Sequence, residues 1–217
     1  MTQGLRERKK QQTRLLIAET AHRLFADRGF EAVTVAEVAR AADVSEGTVF
    51  NYFRTKEDLF YGQMETFEAE LVEAVRNRPR GISALAAFRD FVLESAEGLA
   101  DEERADVIET AARVIGASRA LQARERELVV QYTDALADVL ASETKSNARS
   151  VESWSVANAL MGVQRALVAH VRAEVLAGRR GPNLARTVKS QGRRAFARLD
   201  RGLGSYAVTP PRRRTTP

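Results

Sequence analysis

Thr34–Phe53 reads TVAEVARAADVSEGTVFNYF, and the fold follows from how this stretch is read. Thr34 precedes an apolar-periodic run and Glu37 follows it by three residues, the spacing of a capping box. Ala36, Val38, Ala39 and Ala42 supply the apolar positions of a helix of about two turns. Ala39 is small enough to sit where two crossing helices touch. Ala42-Asp43-Val44 breaks the pattern. Ser45 is a good N-cap for a second helix, and Glu46 in its first turn suits the positive end of the helix dipole. Val49, Phe50 and Phe53 are expected to form the buried stripe, leaving Glu46, Gly47, Thr48, Asn51 and Tyr52 facing out. Two short helices around a tight turn make a helix-turn-helix, whose second helix enters the DNA major groove.

Working outward, the flanks are helical too. From Gln11 to Arg28 the apolar residues Leu15, Leu16, Ala18, Ala21, Leu24 and Phe25 keep a helical period, and Gly29 is placed to close that helix. Residues 1–10 read as a mobile basic arm. Thr55 with Asp58 repeats the capping pattern and starts a fourth helix running to about Arg76. After the break Asn77-Arg78-Pro79-Arg80-Gly81, apolar stripes at helical spacing continue. No strand alternation or internal repeat interrupts them. Asp101 is expected to begin a shorter helix, and Glu143–Arg149 to form a polar loop. From Ser150 to about Ala177 one stripe holds Trp154, Ala157, Met161, Gln164, Val168, Val171 and Val175, the seam of a helix packing on another helix. A second holds Val156, Leu160, Val163 and Leu167. Gly178–Pro182 is a turn, and Leu184, Val188, Ala195, Phe196, Leu199 and Leu203 mark the last helix. Two adjacent C-terminal helices, one with excess apolar surface, predict a homodimer built through them, the alternative being an intramolecular core helix in a bundle.

The predicted fold is all-α with about nine helices. Residues 1–54 form the arm and helix-turn-helix domain, 55–205 a helical-bundle ligand-binding and dimerisation domain, and 206–217 a disordered basic tail. The 217 residues are 44% hydrophobic, enough for a substantial core. Only two of the five prolines, Pro79 and Pro182, precede residue 210. With no cysteine, disulfides, thiolate catalysis and Cys-ligated zinc are excluded. No apolar run reaches the length of a membrane span and no signal segment is present, so a cytoplasmic protein without a membrane partner is expected. Net charge is +5, unevenly spread. Arg6, Arg8, Lys9, Lys10 and Arg14 stand against Glu7 alone, whereas residues 15–60 carry five basic and eight acidic residues. Attraction to DNA is therefore assigned to the N-terminal arm.

Phe25, Gly29, Phe30, Thr34, Val35, Val38, Ala39, Val44, Ser45, Gly47, Thr48, Phe53, Lys56 and Leu59 resemble, in order and spacing, the DNA-binding domain of the TetR family of bacterial repressors. The C-terminal half is similar to that family in architecture only. Its segment Arg113–Glu127, with SRALQARERE, is similar to members with a mycofactocin-regulator or acyl-CoA-type ligand domain. Two positions depart from the family's pattern. Asp43 stands where the turn usually has Gly, and Asp tolerates the left-handed conformation. Phe50 stands where the family usually has Tyr, and its side chain is expected to point mainly inwards.

The resemblance implies DNA contacts from Thr34, from Ser45, Glu46, Gly47, Thr48, Asn51 and Tyr52 on the recognition helix, and from Lys56. Arg8, Lys9 and Lys10 would reach the minor groove. Asn51 is the base-reading candidate, since its amide pairs bidentately with adenine; Thr34, Tyr52 and Lys56 are phosphate contacts, which position the protein without reading sequence. Thr34 and Ser45 also have the plain role of helix caps. Phe88, Phe91, Val92, Ile108, Ile115, Tyr132, Trp154 and Asn158 are the candidates for lining a ligand cavity, although aromatic residues at such spacing are more often core. The expected partners are a near-palindromic double-stranded operator, a small hydrophobic ligand and a second copy of the chain. No cofactor, metal site or catalytic group is expected. His22 and His170 are far apart, and there is no phosphate loop or nucleophile motif. The function expected is that of a dimeric repressor released from its operator by a small apolar molecule. Alternatives are an activator without a ligand and a helical protein-interaction adaptor.

Overall fold

The computed structural model describes residues 2–144 and 150–203. The tail expected at 206–217 and most of the loop expected at Glu143–Arg149 lie outside the described residues. All regular structure within them is helical: α1 (Thr2–Arg28), α2 (Val35–Ala41), α3 (Glu46–Tyr52), α4 (Lys56–Arg76), α5 (Ala84–Ser95), a 3₁₀ turn (Ala96–Ala100), α6 (Glu102–Ala117), α7 (Arg119–Thr144), α8 (Val151–Leu176) and α9 (Gly181–Leu203). None of these helices is long and apolar enough to cross a membrane.

The chain divides into two compact units. The first comprises the residues up to Thr66 and Thr110–Arg126, the second Phe67–Glu109 and the chain from Glu127 onward. The division runs through α4, α6 and α7 rather than at the Arg54–Thr55 link.

In the first unit, Ile17, Ala21, Phe25, Phe30, Val38, Val49, Phe53 and Leu59 are buried. The rings of Phe25 and Phe30 lie 5.0 Å apart. Gly29, at φ +80, turns the chain out of α1, a backbone state that only glycine reaches without strain, and its amide donates to the Phe25 carbonyl. The segment Thr110–Arg126 is fastened by polar contacts. The buried Tyr61 hydroxyl donates to the Leu121 carbonyl at 3.0 Å, and the Ser118 hydroxyl donates to the Glu31 carboxylate at 2.6 Å. Arg124 pairs with Asp58 at 3.0 Å. Helix α1 starts earlier than expected, at Thr2 rather than near Gln11. Arg, Lys and Gln are good helix formers even where no apolar stripe is present, so the basic residues extend the helix instead of forming a loose arm.

The second unit packs Leu71, Val75, Phe88, Val92, Leu136, Leu140, Leu160, Met161 and Phe196 in one cluster. Phe88 meets Phe196 edge-on at 6.0 Å. Gly192 allows α9 to approach closely, since a Cβ there would lie 2.7 Å from Leu93 Cδ2. Both apolar stripes of α8 turn inward: Val156, Leu160 and Leu167 from one, and Ala157, Met161, Gln164 and Val175 from the other, are all buried by this chain alone. The exposed face of α8 is a different one, with Trp154, Asn158, Gly162, Ala166, Ala169 and Ala173. The expected seam is therefore part of the chain's own core. A helix surrounded by α5 and α9 needs apolar residues on more than half its circumference.

Arg78, in the break before α5, is a buried polar tie of this unit. Its side chain is 2% exposed and forms an ion pair with Glu143. It also donates to the carbonyls of Val75 at 2.6 Å and Ile82 at 3.0 Å. One guanidinium thus satisfies the end of α4, the following turn and the end of α7. Replacing Arg78 by Met leaves these acceptors unpaired, and roughly 1–3 kcal/mol of stability should be lost. A urea denaturation midpoint equal to that of the wild type would contradict this account.

Candidate nucleic-acid interface

The helix-turn-helix is fixed by caps that the local sequence specifies. Thr34 has extended backbone and its side chain accepts from the Glu37 amide at 3.2 Å, while Glu37 accepts from the Thr34 amide at 2.8 Å. Both halves of the capping box are present. Arg28 donates to the second Glu37 oxygen at 2.7 Å. These donors, the Thr34 amide first, hold the Glu37 carboxyl well below the usual range, at about 2. The reversal between α2 and α3 is made at Asp43, whose φ is +53. The Val44 amide donates to the Ala39 carbonyl at 3.0 Å, closing the turn. Ala39, buried at the base of the turn, leaves room for it. Ser45 then caps α3, accepting from the Thr48 amide at 3.1 Å.

On α3 the inward residues are Val49 and, just past its end, Phe53. Phe50 is 51% exposed, which corrects the expectation that it points inwards. It stands about 100° around the helix from Val49, and a two-turn helix has only one inner face. Glu46, Gly47 and Asn51 are exposed beside it and Tyr52 is half-buried. The Asn51 side chain makes no hydrogen bond among the described residues, so both ends of its amide are free to pair. Thr48 and Ser45 bring their hydroxyls to 2.9 Å of each other. The Thr34 hydroxyl also donates to Glu37, at 2.9 Å. Both caps are thus occupied locally, and a phosphate would meet chiefly the exposed backbone amides at these helix starts.

Lys56 is not a free surface cation. Its ammonium donates to the Phe30 carbonyl and lies 4.1 Å from the centre of the Phe30 ring. Partial burial pushes its pKa below the usual lysine value. Thr55 caps α4, its hydroxyl accepting from the Asp58 amide at 3.2 Å and its amide donating to Asp58 at 3.2 Å. Arg8, Lys9 and Lys10 are exposed on helix α1. His22 is a satisfied structural residue: its Nε2 lies 2.9 Å from the Phe60 carbonyl and its ring stacks on Phe60. Burial pushes its pKa below the ordinary value. On α3, Phe50 is the outward residue that the sequence left unassigned to that face.

The ligand candidates do not all meet. Phe88 and Val92 belong to the core of the second unit, with Phe91, Ile108 and Tyr132 packed against it. Ile115 belongs to the first unit. Trp154 is 52% exposed, its indole nitrogen donating to Asp134 at 3.1 Å. Asn158 is exposed and donates to the Trp154 carbonyl at 2.8 Å. Neither of the last two faces the interior, because both lie on the side of α8 opposite its buried stripes.

Residues 17–61 match the model of the family described as bacterial regulatory proteins, tetR family. TcmR of Streptomyces glaucescens, an HTH-type transcriptional regulator, is 33% identical over 85 residues, covering 39% of this chain and 38% of TcmR. MftR of Mycobacterium tuberculosis, which carries the name of a mycofactocin biosynthesis transcriptional regulator, is 29% identical over 123 residues, covering 54% of this chain and 61% of MftR. The chain thus spans less than two thirds of the length of either. Among solved structures, native NalD, the secondary repressor of the MexAB-OprM multidrug efflux pump in Pseudomonas aeruginosa, superposes with a TM-score of 0.55 at 20% identity, over 89% of this chain and 98% of that one. At that identity the likeness is one of fold.

The Glu37 pKa gives a pH test of the cap. A carboxyl held at about 2 against its usual 4.5 contributes stability above 4.5, and this is lost as pH falls toward 2. Glu37→Gln should therefore melt lower than wild type at neutral pH, and the difference between them should shrink as the pH is lowered through that window. A difference in melting temperature that stays constant down to pH 2 would refute the assignment.

Proposed function

We infer that this chain, which belongs to the TetR family of bacterial regulatory proteins, is a DNA-binding transcriptional regulator that represses as a dimer and is released by a small molecule. The observation that carries the DNA reading is the outward face of α3. Asn51 has an unpaired amide there, on a helix capped at both flanks and preceded by the Asp43 turn. Asn51 reads a base. The amides opening α2 and α3 and the hydroxyl of Tyr52 take phosphates. Arg8, Lys9 and Lys10 on α1 supply the positive charge that the rest of the unit lacks. Two copies place two α3 helices one helical turn of DNA apart, about 34–36 Å.

The ligand reading rests on the second unit, a helical bundle whose core residues Phe88 and Val92, with Phe91, Ile108 and Tyr132, are the apolar candidates. Helices α4, α6 and α7 each have residues in both units, so a ligand that favours one arrangement of these helices shifts DNA affinity by its differential binding to the two states. That NalD represses an efflux pump supports repression as the mode. An operator complex that ignores every small molecule would instead favour an activator or constitutive binder.

The dimer is assigned to α8 and α9. On the outer face of α8, Gly162, Ala166, Ala169 and Ala173 are exposed between Trp154 and Leu176, and small residues permit close helix approach. Light scattering at micromolar concentration should give twice the chain mass for wild type and the monomer mass for Ala169→Arg. A monomeric wild type would overturn the interface.

Asn51→Ala should weaken operator binding by about 5- to 150-fold, corresponding to ~1–3 kcal/mol, with the loss confined to sequences carrying the adenine it reads. Lys56→Ala should weaken all sequences alike, because its link to Phe30 positions α4. Unchanged affinity in both variants would remove these residues from the interface.

A further inference from the structure

Glu68 is a residue of the second unit that neither the core nor the DNA reading explains. It lies on α4 one turn before Leu71 and Val72, on the helical face that carries Leu71, Val72 and Val75 into the core. Its Oε2 is buried and has no hydrogen-bond partner. A second buried acid in the chain, Asp58, also has an oxygen without a hydrogen bond, but Arg124 stands 3.0 Å from it. Glu68 has no such cation among the described residues. Burial alone pushes its carboxyl up to about 7. Next to it on the helix, Phe67 packs its ring 5.3 Å from that of Phe91 on α5, both half-buried.

Glu68 as a whole is half-buried, and a buried carboxylate oxygen without a partner is a cost to the fold. Leu or Met at that position would satisfy the helix better. No cation among the described residues complements it. We propose that Glu68 is the recognition group of the ligand site and that the ligand is a hydrophobic organic amine. The ammonium donates to Glu68 and its charge stabilises the ionised carboxylate. The body of the amine packs on the apolar surface around Phe67 and Phe91, and aromatic faces attract cations further. Anionic amphiphiles are disfavoured by the same carboxylate. This inference rests on the reading of the second unit as a ligand domain and adds the ligand's chemical class.

The test uses the full chain and three probes of equal length: decylamine, decanol and decanoate, each below its micelle concentration. Binding is measured calorimetrically without DNA, and operator release is measured separately. Wild type should bind decylamine at least ten-fold more tightly than decanol, with decanoate weakest. Glu68→Gln keeps the size and an acceptor but loses the charge. It should bind decylamine and decanol within about two-fold of each other, and should melt at or above the wild-type temperature because no charge is buried. Equal affinity of wild type for decylamine and decanol, or an undiminished amine preference in Glu68→Gln, overturns the proposal. The wild-type comparison decides the matter even if the variant fails to fold. Release of the operator by decanol or decanoate as readily as by decylamine would overturn the amine assignment and leave ligand-responsive regulation standing. A wild type that binds decylamine selectively but no operator would do the reverse.

Discussion

The first unit depends on the reversal at Asp43. Helices α2 and α3 are seven residues each, too short to be stable alone. They exist because the turn folds one against the other and α2 packs on α1. With φ at +53, Asp43 lets Val44 return its amide to Ala39, and Val49 and Phe53 then fall inward. The outward face of α3 is what remains once those two are buried. A β-branched residue at 43 would meet a steric penalty in the left-handed region, and the loss would spread to both helices.

How much of this was legible depended on range. The caps at Thr34, Ser45 and Thr55 were legible because each is written within four residues, and all three form the expected hydrogen bonds. Gly29 and Asp43 were legible for the same reason. The start of α1 was not, because a run of Arg, Lys and Gln has helix propensity without periodicity. Phe50 was misjudged because three apolar residues in a short helix suggest one stripe, and the inner face holds only two. The Arg78–Glu143 pair joins residues 65 apart, and the attachment of Thr110–Arg126 to the first unit rests on Tyr61–Leu121, Ser118–Glu31 and Asp58–Arg124. Contacts of that separation leave no local signature.

In the second unit, apolar stripes located the core but not a site. Periodicity marks which residues are buried and is silent on what they are buried against. Trp154 and the stripe of Val156 share one helix, and only packing decides that the indole faces out. Glu68 shows the converse. As a letter in the sequence it is an acid on a helix with other acids around it, ordinarily a solvated residue. It becomes informative once its face of α4 is known to be the buried one.

Electrostatics also has to be reconciled with DNA binding, since residues 15–60 have three more acids than bases. Two features reduce the conflict. Glu37 is neutralised at contact distance by Arg28 and by the amide that opens α2, and the ammonium of Lys56 is held at the Phe30 turn rather than spent on a surface carboxylate. Exposed positive charge on α1 comes from Arg8, Lys9 and Lys10, which belong to a helix and not to a loose arm. A helical cation cluster is already ordered, so less entropy is lost on contact with phosphate than for a flexible segment. It is also held in one orientation, so its phosphates are set by the docking of α3. On the proposed reading, the long-range attraction and the base reading belong to different helices of the same unit.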